Sequence, residues 1–203
     1  AVFYLAGLVC WNYFADCLTK CSDTFNANQQ IFGKVYFPRL VVPFSIVISN
    51  MIKLGIQFLL FFVVYLYYAV TLGGFNVNWT ICLLPLLILM LACIGLGFGL
   101  VISSMTTKYR DLRFLVSFGV QLWMYATPVI YPLSVMKNNY PDKIWLIVAN
   151  PLTAITETFK YGFTGVGVFE WSYLLYSLAF AVVILLLGIV IFNRTQKNFM
   201  DVI

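Results

Sequence analysis

Histidine is absent from this chain, and only seven of its 203 residues are Asp or Glu. The first absence leaves the cysteines without the partner that completes a common zinc site. No GxSxG elbow, no Walker lysine motif and no paired carboxylates at a membrane surface are present either, so the chain cannot bind or hydrolyse ATP by itself. Any energy for its work must come from elsewhere. The cysteines Cys10, Cys17, Cys21, Cys82 and Cys93 form no CxxC pair and show no disulfide framework. Cys17 and Cys21 share a helix face, where small apolar packing is the simplest role. Charge is scarce as well, at 9% of residues. The net charge of +5 comes from basic residues scattered at the ends of apolar runs, with no Lys/Arg block that would suit nucleic acid.

Apolar sequence fills the space that charge leaves. Hydrophobic residues make up 63% of the chain and the mean hydropathy is +0.95, too little polar surface to cover a soluble globule. Residues 41–72, 79–105, 112–136 and 171–192 are each long and apolar enough to cross a bilayer, and a fifth run begins at Ala1. A helix needs about 20 apolar residues for this, because no other open backbone arrangement satisfies its own hydrogen bonds in lipid. The chain therefore reads as an all-α, polytopic helical membrane protein with five spans, forming one domain over residues 1–203. Its opening lacks an initiator methionine and a charged leader, so it is not a signal peptide as written, and we expect a further amino-terminal piece.

Basic residues set the expected orientation. Lys20, Lys34 and Arg39 follow the first span, none lies between Leu72 and Trp79, Lys108, Arg110 and Arg113 precede the fourth span, and Arg194 and Lys197 follow the last. The positive-inside rule makes these clusters cytoplasmic and puts Ala1 and the Gly73-Gly74 turn outside, with Ile203 inside. Lys137, Lys143 and Lys160 then lie outside, diluted by Asp142, Glu157 and Glu170.

The segment 144–163 does not behave like a span. Residues 144–149 form one short apolar piece, and a second follows Asn150-Pro151, where Asn suits an N-cap and Pro the first helical turn. With Gly162, Gly165 and Gly167 closing the second, the pattern predicts a broken re-entrant or interfacial pair. Such a pair is tolerated only if it is buried in protein or lines an aqueous cavity.

Several side-chain patterns invite a function. In the second span Asn50, Lys53 and Gln57 are spaced by three and four and form one polar stripe. It faces either a water-filled cavity or a partner helix, with Lys53 snorkelling to the interface in the second case. In the fourth span Phe114, Phe118, Gln121 and Tyr125 share a face, with Trp123, Tyr131, Pro128 and Pro132 close by. Aromatic faces with polar tips suit sugar rings, although helix packing and an interfacial aromatic belt use the same residues. The two prolines predict a kink able to shape a portal. Gly95, Gly99 and Ser103 make a small-xxx-small face for close helix contact. The polar stretch 19–39 is long enough for a short amphipathic helix that docks something. In the loop TTKYRDLR, Asp111 can pair locally with Arg110 or Arg113.

Four motifs, KVYFPRLVVP, TTKYRDLRFLV, QLWMYATPVIYPLS and NPLTAITETFKYGFTG, follow one another along the chain. In this order and spacing the sequence resembles the ABC-2 type permeases of polysaccharide exporters, the membrane subunits for O-antigen, capsule and teichoic acid. The resemblance implies a homodimer of six-helix subunits in the bacterial cytoplasmic membrane. It also implies a separate ATPase that binds the ATP and Mg, leaving this chain no cofactor of its own, and a lipid-linked polymer as substrate. Carried over residue by residue, Ser22, Asp23, Asn26, Asn28 and Lys34 would fall in the region coupling to the ATPase. Trp123, Tyr125 and Tyr131 match aromatics near the channel, and Asn150, Pro151, Glu157 and Lys160 fall in the re-entrant gate. The sequence departs from the family in lacking the amino-terminal interface helix and first span. Two rival readings remain open: an ABC-2 permease for a small hydrophobic drug or lipid, and a membrane-embedded enzyme acting on lipid-linked sugars.

Overall fold

The computed structural model describes residues 2–28, 38–72, 78–107, 109, 111–139 and 144–200. Helix α1 spans Val2–Ser22 and is followed by the short α2, Thr24–Ala27; α3 covers Val41–Leu72. A 3-10 turn at Trp79–Leu83 leads into α4, Leu84–Thr106. Then come α5, Leu112–Ala126; α6, Leu133–Asn139; α7, Ile144–Val148; α8, Pro151–Thr164; and α9, Trp171–Met200. No strand occurs among the described residues. Among the described residues, four helical stretches are long and apolar enough to cross a membrane: Val2–Ser22, Val41–Thr71, Trp79–Thr106 and Trp171–Gln196.

The predicted span 112–136 is not one helix. At about 1.5 Å per residue, α5 reaches only about 22 Å, short of a hydrocarbon core of about 30 Å. The two prolines explain the interruption. Pro128 forces the residue before it out of the helical region, and Thr127 is extended at φ −100, ψ 140. Pro132 has no N–H to offer the carbonyl of Pro128 one turn earlier, so the helix cannot resume until Leu133. The expected kink is a complete break.

Close packing of α4 organises the bundle. The GLGFG run splits its glycines between two neighbours. A methyl on Gly95 would stand 2.9 Å from Cβ of Cys17 and one on Gly99 would overlap Cys21, so this face receives α1. On the opposite side, a methyl on Gly97 would lie 2.8 Å from the Ile184 carbonyl of α9, while Gly188 answers from that helix. Small residues let the backbones approach where apolar lipid gives helices little reason to associate. Cys17 and Cys21 are fully buried here, in the packing role expected of them.

Of the non-spanning pair, α8 is buried as membrane physics requires, whereas α7 has no buried residue, with Trp145 and Leu146 exposed. Helix α8 begins at Asn150, whose side chain accepts from the Leu152 amide at 3.1 Å, with Pro151 in the first turn. It ends at Gly165, left-handed at φ 67, whose N–H returns to the Tyr161 carbonyl. Nearly its whole circumference is buried, from Leu152 through Phe163, against α1, α4, α9 and the 3-10 turn. An aromatic cluster of Phe58, Phe61 and Tyr65 from α3 with Phe159 and Phe163 joins it to the second span. Protein therefore shields it from lipid.

Candidate functional site

Polar chemistry collects at the two ends of the bundle. At the end where α1 finishes, Asp16 and Lys20 are spaced by four and share one face of that helix, and Asp23 follows just past its end. Each meets a partner from another helix. Asp16 pairs with Lys53 of α3 at 2.5 Å. Lys20 donates to the Asn50 side-chain oxygen at 2.6 Å, and Asn50 in turn donates to the Cys17 sulfur. Asp23 pairs with Arg113 at the start of α5 at 3.4 Å.

In this ladder Asn50 and Lys53 of the second-span stripe meet α1, with Asn50 buried and the Lys53 side chain half exposed. Gln57 continues the face one turn on and is half-buried. Arg113 reaches across to Asp23 rather than to its sequence neighbour Asp111. Lys20 and Arg113 were missed as site residues because basic residues read as topology markers, and Asp16 because it stands as an isolated carboxylate in an apolar run. The charge spacing along the end of the first span was the signal available.

The aromatic set divides. Phe114, Phe118, Gln121 and Tyr125 lie together on a face of α5 that no described residue covers, with Phe114 76% and Tyr125 68% exposed. Trp123 points the other way. Its ring meets Phe14 edge-on at 5.4 Å and Phe98 at 5.3 Å, as interior packing. Tyr131 folds back over the break and donates to the Tyr125 carbonyl at 3.4 Å. Of the residues proposed for ATPase coupling, Ser22 closes α1 with its hydroxyl on the Thr19 carbonyl, Asn26 lies on α2, and the Asn28 amide donates to the Thr24 carbonyl. Lys34 lies outside the described residues.

At the opposite end, α8, the break after α5 and α1 meet at one ammonium. Lys160 of α8 is completely buried, 3.4 Å from the equally buried Glu157. It donates to the carbonyl of Pro128 in the break and lies 4.2 Å from the ring centre of Phe3 on α1. Gly7 leaves the room: a methyl there would stand 2.9 Å from Cε of Lys160. Asn150 ties the same segment down by donating to the Thr127 hydroxyl at 2.8 Å. The residues expected at the gate, Asn150, Pro151, Glu157 and Lys160, thus share one helix, and two of them hold the broken strand of chain directly.

Spanning helices packed around the buried, non-spanning α8 define a polytopic helical membrane protein. The chain belongs to the ABC-2 type transporter family, whose profile matches residues 2–164. Over its full length it is 28% identical to two proteins of Klebsiella pneumoniae named O-antigen export system permease protein RfbA, covering 75% of each. A protein of the same name from Myxococcus xanthus is 25% identical over 98% of this chain and 74% of its own length.

Proposed function

We propose that this chain is the permease subunit of an ATP-driven exporter that moves a lipid-linked polysaccharide, of the O-antigen kind, across the bacterial cytoplasmic membrane. The observation that carries the reading is similarity along the whole chain to three proteins named as O-antigen export permeases. The uncovered α5 face supports it. A long polymer needs many weak contacts along a wall rather than one tight pocket, and Phe114, Phe118, Gln121 and Tyr125 offer stacking faces and an amide in a row.

In this reading a second copy of the chain supplies the facing wall, and the basic end of the bundle is cytoplasmic, as is the carboxyl terminus. The segment from Ser22 to Lys34 receives a separate ATPase, which holds the nucleotide and its Mg. Motion of that partner reaches α1 and α3 as a rigid push through the segment joining them. The short α8 closes the outer end around Lys160. Chemistry stays with the partner, and this subunit carries and guides.

The test is complementation. Expressed with its ATPase in a strain deleted for the corresponding permease, the chain should restore surface polysaccharide without altering drug sensitivity. A changed drug sensitivity with no polysaccharide would favour the small-molecule permease instead.

A further inference from the structure

The two carboxylate oxygens of Glu157 have different surroundings. Oε1 faces Lys160 at 3.4 Å. Oε2 is buried and has no hydrogen-bond partner among the described residues, the nearby amides of Leu133 and Val168 being too poorly aimed to reach it. It points to the chain joining α8 to α9, where a methyl on Gly167 would stand 3.3 Å away. Leaving a buried carboxylate oxygen so costs free energy that a bound donor or cation would recover.

Glu157 borders a cavity of about 10 Å3, together with Thr153 and Thr158 of the same helix and Glu170 and Tyr173 at the start of α9. The space admits one water-sized guest. Its polar lining is rich in acceptors. The hydroxyl of Thr153 is spent on the Ile147 carbonyl at 2.6 Å and that of Thr158 on the Ala154 carbonyl at 2.6 Å, which leaves their lone pairs free. Tyr173 stands beside the Glu170 carboxylate. Charge points the same way. Glu157 and Glu170 are negative and Lys160 is positive, so among the described residues that border the cavity or pair with its carboxylates one negative charge is in surplus.

We propose that this cavity is a binding site for a small monovalent cation, sodium, held by the free oxygen of Glu157 and by Glu170, with the threonine hydroxyls as further oxygen ligands. One positive charge cancels the surplus. A divalent ion would turn it into an excess of positive charge beside the buried Lys160, and magnesium also keeps several of its waters, for which a space of this size has no room. A lone water would satisfy the oxygens and leave the charge uncancelled. Sodium is the smaller of the two common monovalent cations, and the space is tight. The bound ion ties the middle of α8 to the start of α9. The site stands whatever the chain carries, and under the export reading it fastens the outer closure.

The full chain in nanodiscs of neutral lipid is melted in sodium, potassium or N-methylglucamine chloride at one ionic strength, and its binding of radiolabelled sodium is measured beside it. Sodium in about hundredfold excess over its dissociation constant should raise the midpoint by roughly 5–10 °C over N-methylglucamine, with potassium raising it less. Glu170 is only half-buried, so Glu170→Gln should keep the fold, and it should raise the sodium concentration for half-maximal binding roughly tenfold or more. Asp111→Asn, at the far end of the bundle, should leave that concentration unchanged. Equal midpoints in the three salts, or no saturable sodium binding by the unaltered chain, would overturn the site. So would an undiminished response in Glu170→Gln or the same loss in Asp111→Asn. Potassium matching sodium would overturn the choice of ion, and calcium or magnesium displacing sodium at equal concentration would overturn its single charge. If complementation fails while sodium binding still depends on Glu170, the export reading falls and the site stands.

Discussion

Lys160 supplies to the carbonyl of Pro128 the hydrogen bond that Pro132 cannot give. In an unbroken helix that carbonyl would accept from the amide of residue 132, and proline has none. A side chain from α8 therefore repairs the backbone of the interrupted span. Glu157 balances the buried charge, and both residues are shielded from solvent. Removing one partner of a buried pair strands the other. We predict that Lys160→Met costs about 3–5 kcal/mol of stability. The double variant Glu157→Gln/Lys160→Met should recover part of that loss, because no charge is left buried. Thermal unfolding of the purified protein in detergent measures both.

The contact of Gly97 with Ile184 predicts a second sensitivity. A side chain at Gly97 meets backbone, at 2.8 Å from the Ile184 carbonyl, and backbone cannot swing aside. Gly97→Val should push α4 and α9 apart and cost about 1–3 kcal/mol by overpacking. The open position Gly119 on α5 has no atom near a new methyl, and Gly119→Ala should leave the melting midpoint unchanged or slightly raised.

Trp123 and Tyr125 stand two residues apart and should behave in opposite ways. Trp123 is held between Phe14 and Phe98, so Trp123→Ala should destabilise the protein by up to about 3–5 kcal/mol and lower its abundance in the membrane. Tyr125 is 68% exposed, and Tyr125→Ala should leave abundance and melting intact while export of surface polysaccharide falls. A paired measurement of membrane abundance and surface polymer separates the two.

Much of this architecture was legible in the residue pattern, and the exceptions have physical causes. Long apolar runs announced the spans, and Asn150-Pro151 announced the start of α8, because capping and proline geometry are local. The break after Ala126 read only as a kink. Its depth depends on Lys160, 32 residues away, which stabilises the open backbone. The helix faces on α5 were readable as a set, but Trp123 separated from Tyr125 only when Phe14 and Phe98 were placed beside it. The ladder of Asp16, Lys20 and Asp23 escaped for a similar reason: a row of charges along and just past the end of one helix shows its meaning only when Lys53, Asn50 and Arg113 stand opposite.

The ion pair of Asp23 with Arg113 links the α1–α2 junction to the start of α5, at the end where the proposed ATPase docks. The Arg113 side chain is 62% exposed, so the pair contributes at most about 1 kcal/mol to stability. Its value would lie in position rather than in holding the fold. Asp23→Arg should therefore leave insertion and melting nearly unchanged while export falls severalfold and ATP hydrolysis by the partner continues. The exchange Asp23→Arg/Arg113→Asp rebuilds the pair with its charges reversed. Export recovered by that exchange would assign the effect to the link between helices, whereas export still lost would assign it to the charge that the ATPase itself meets at Asp23. Export and hydrolysis measured side by side in proteoliposomes check both outcomes.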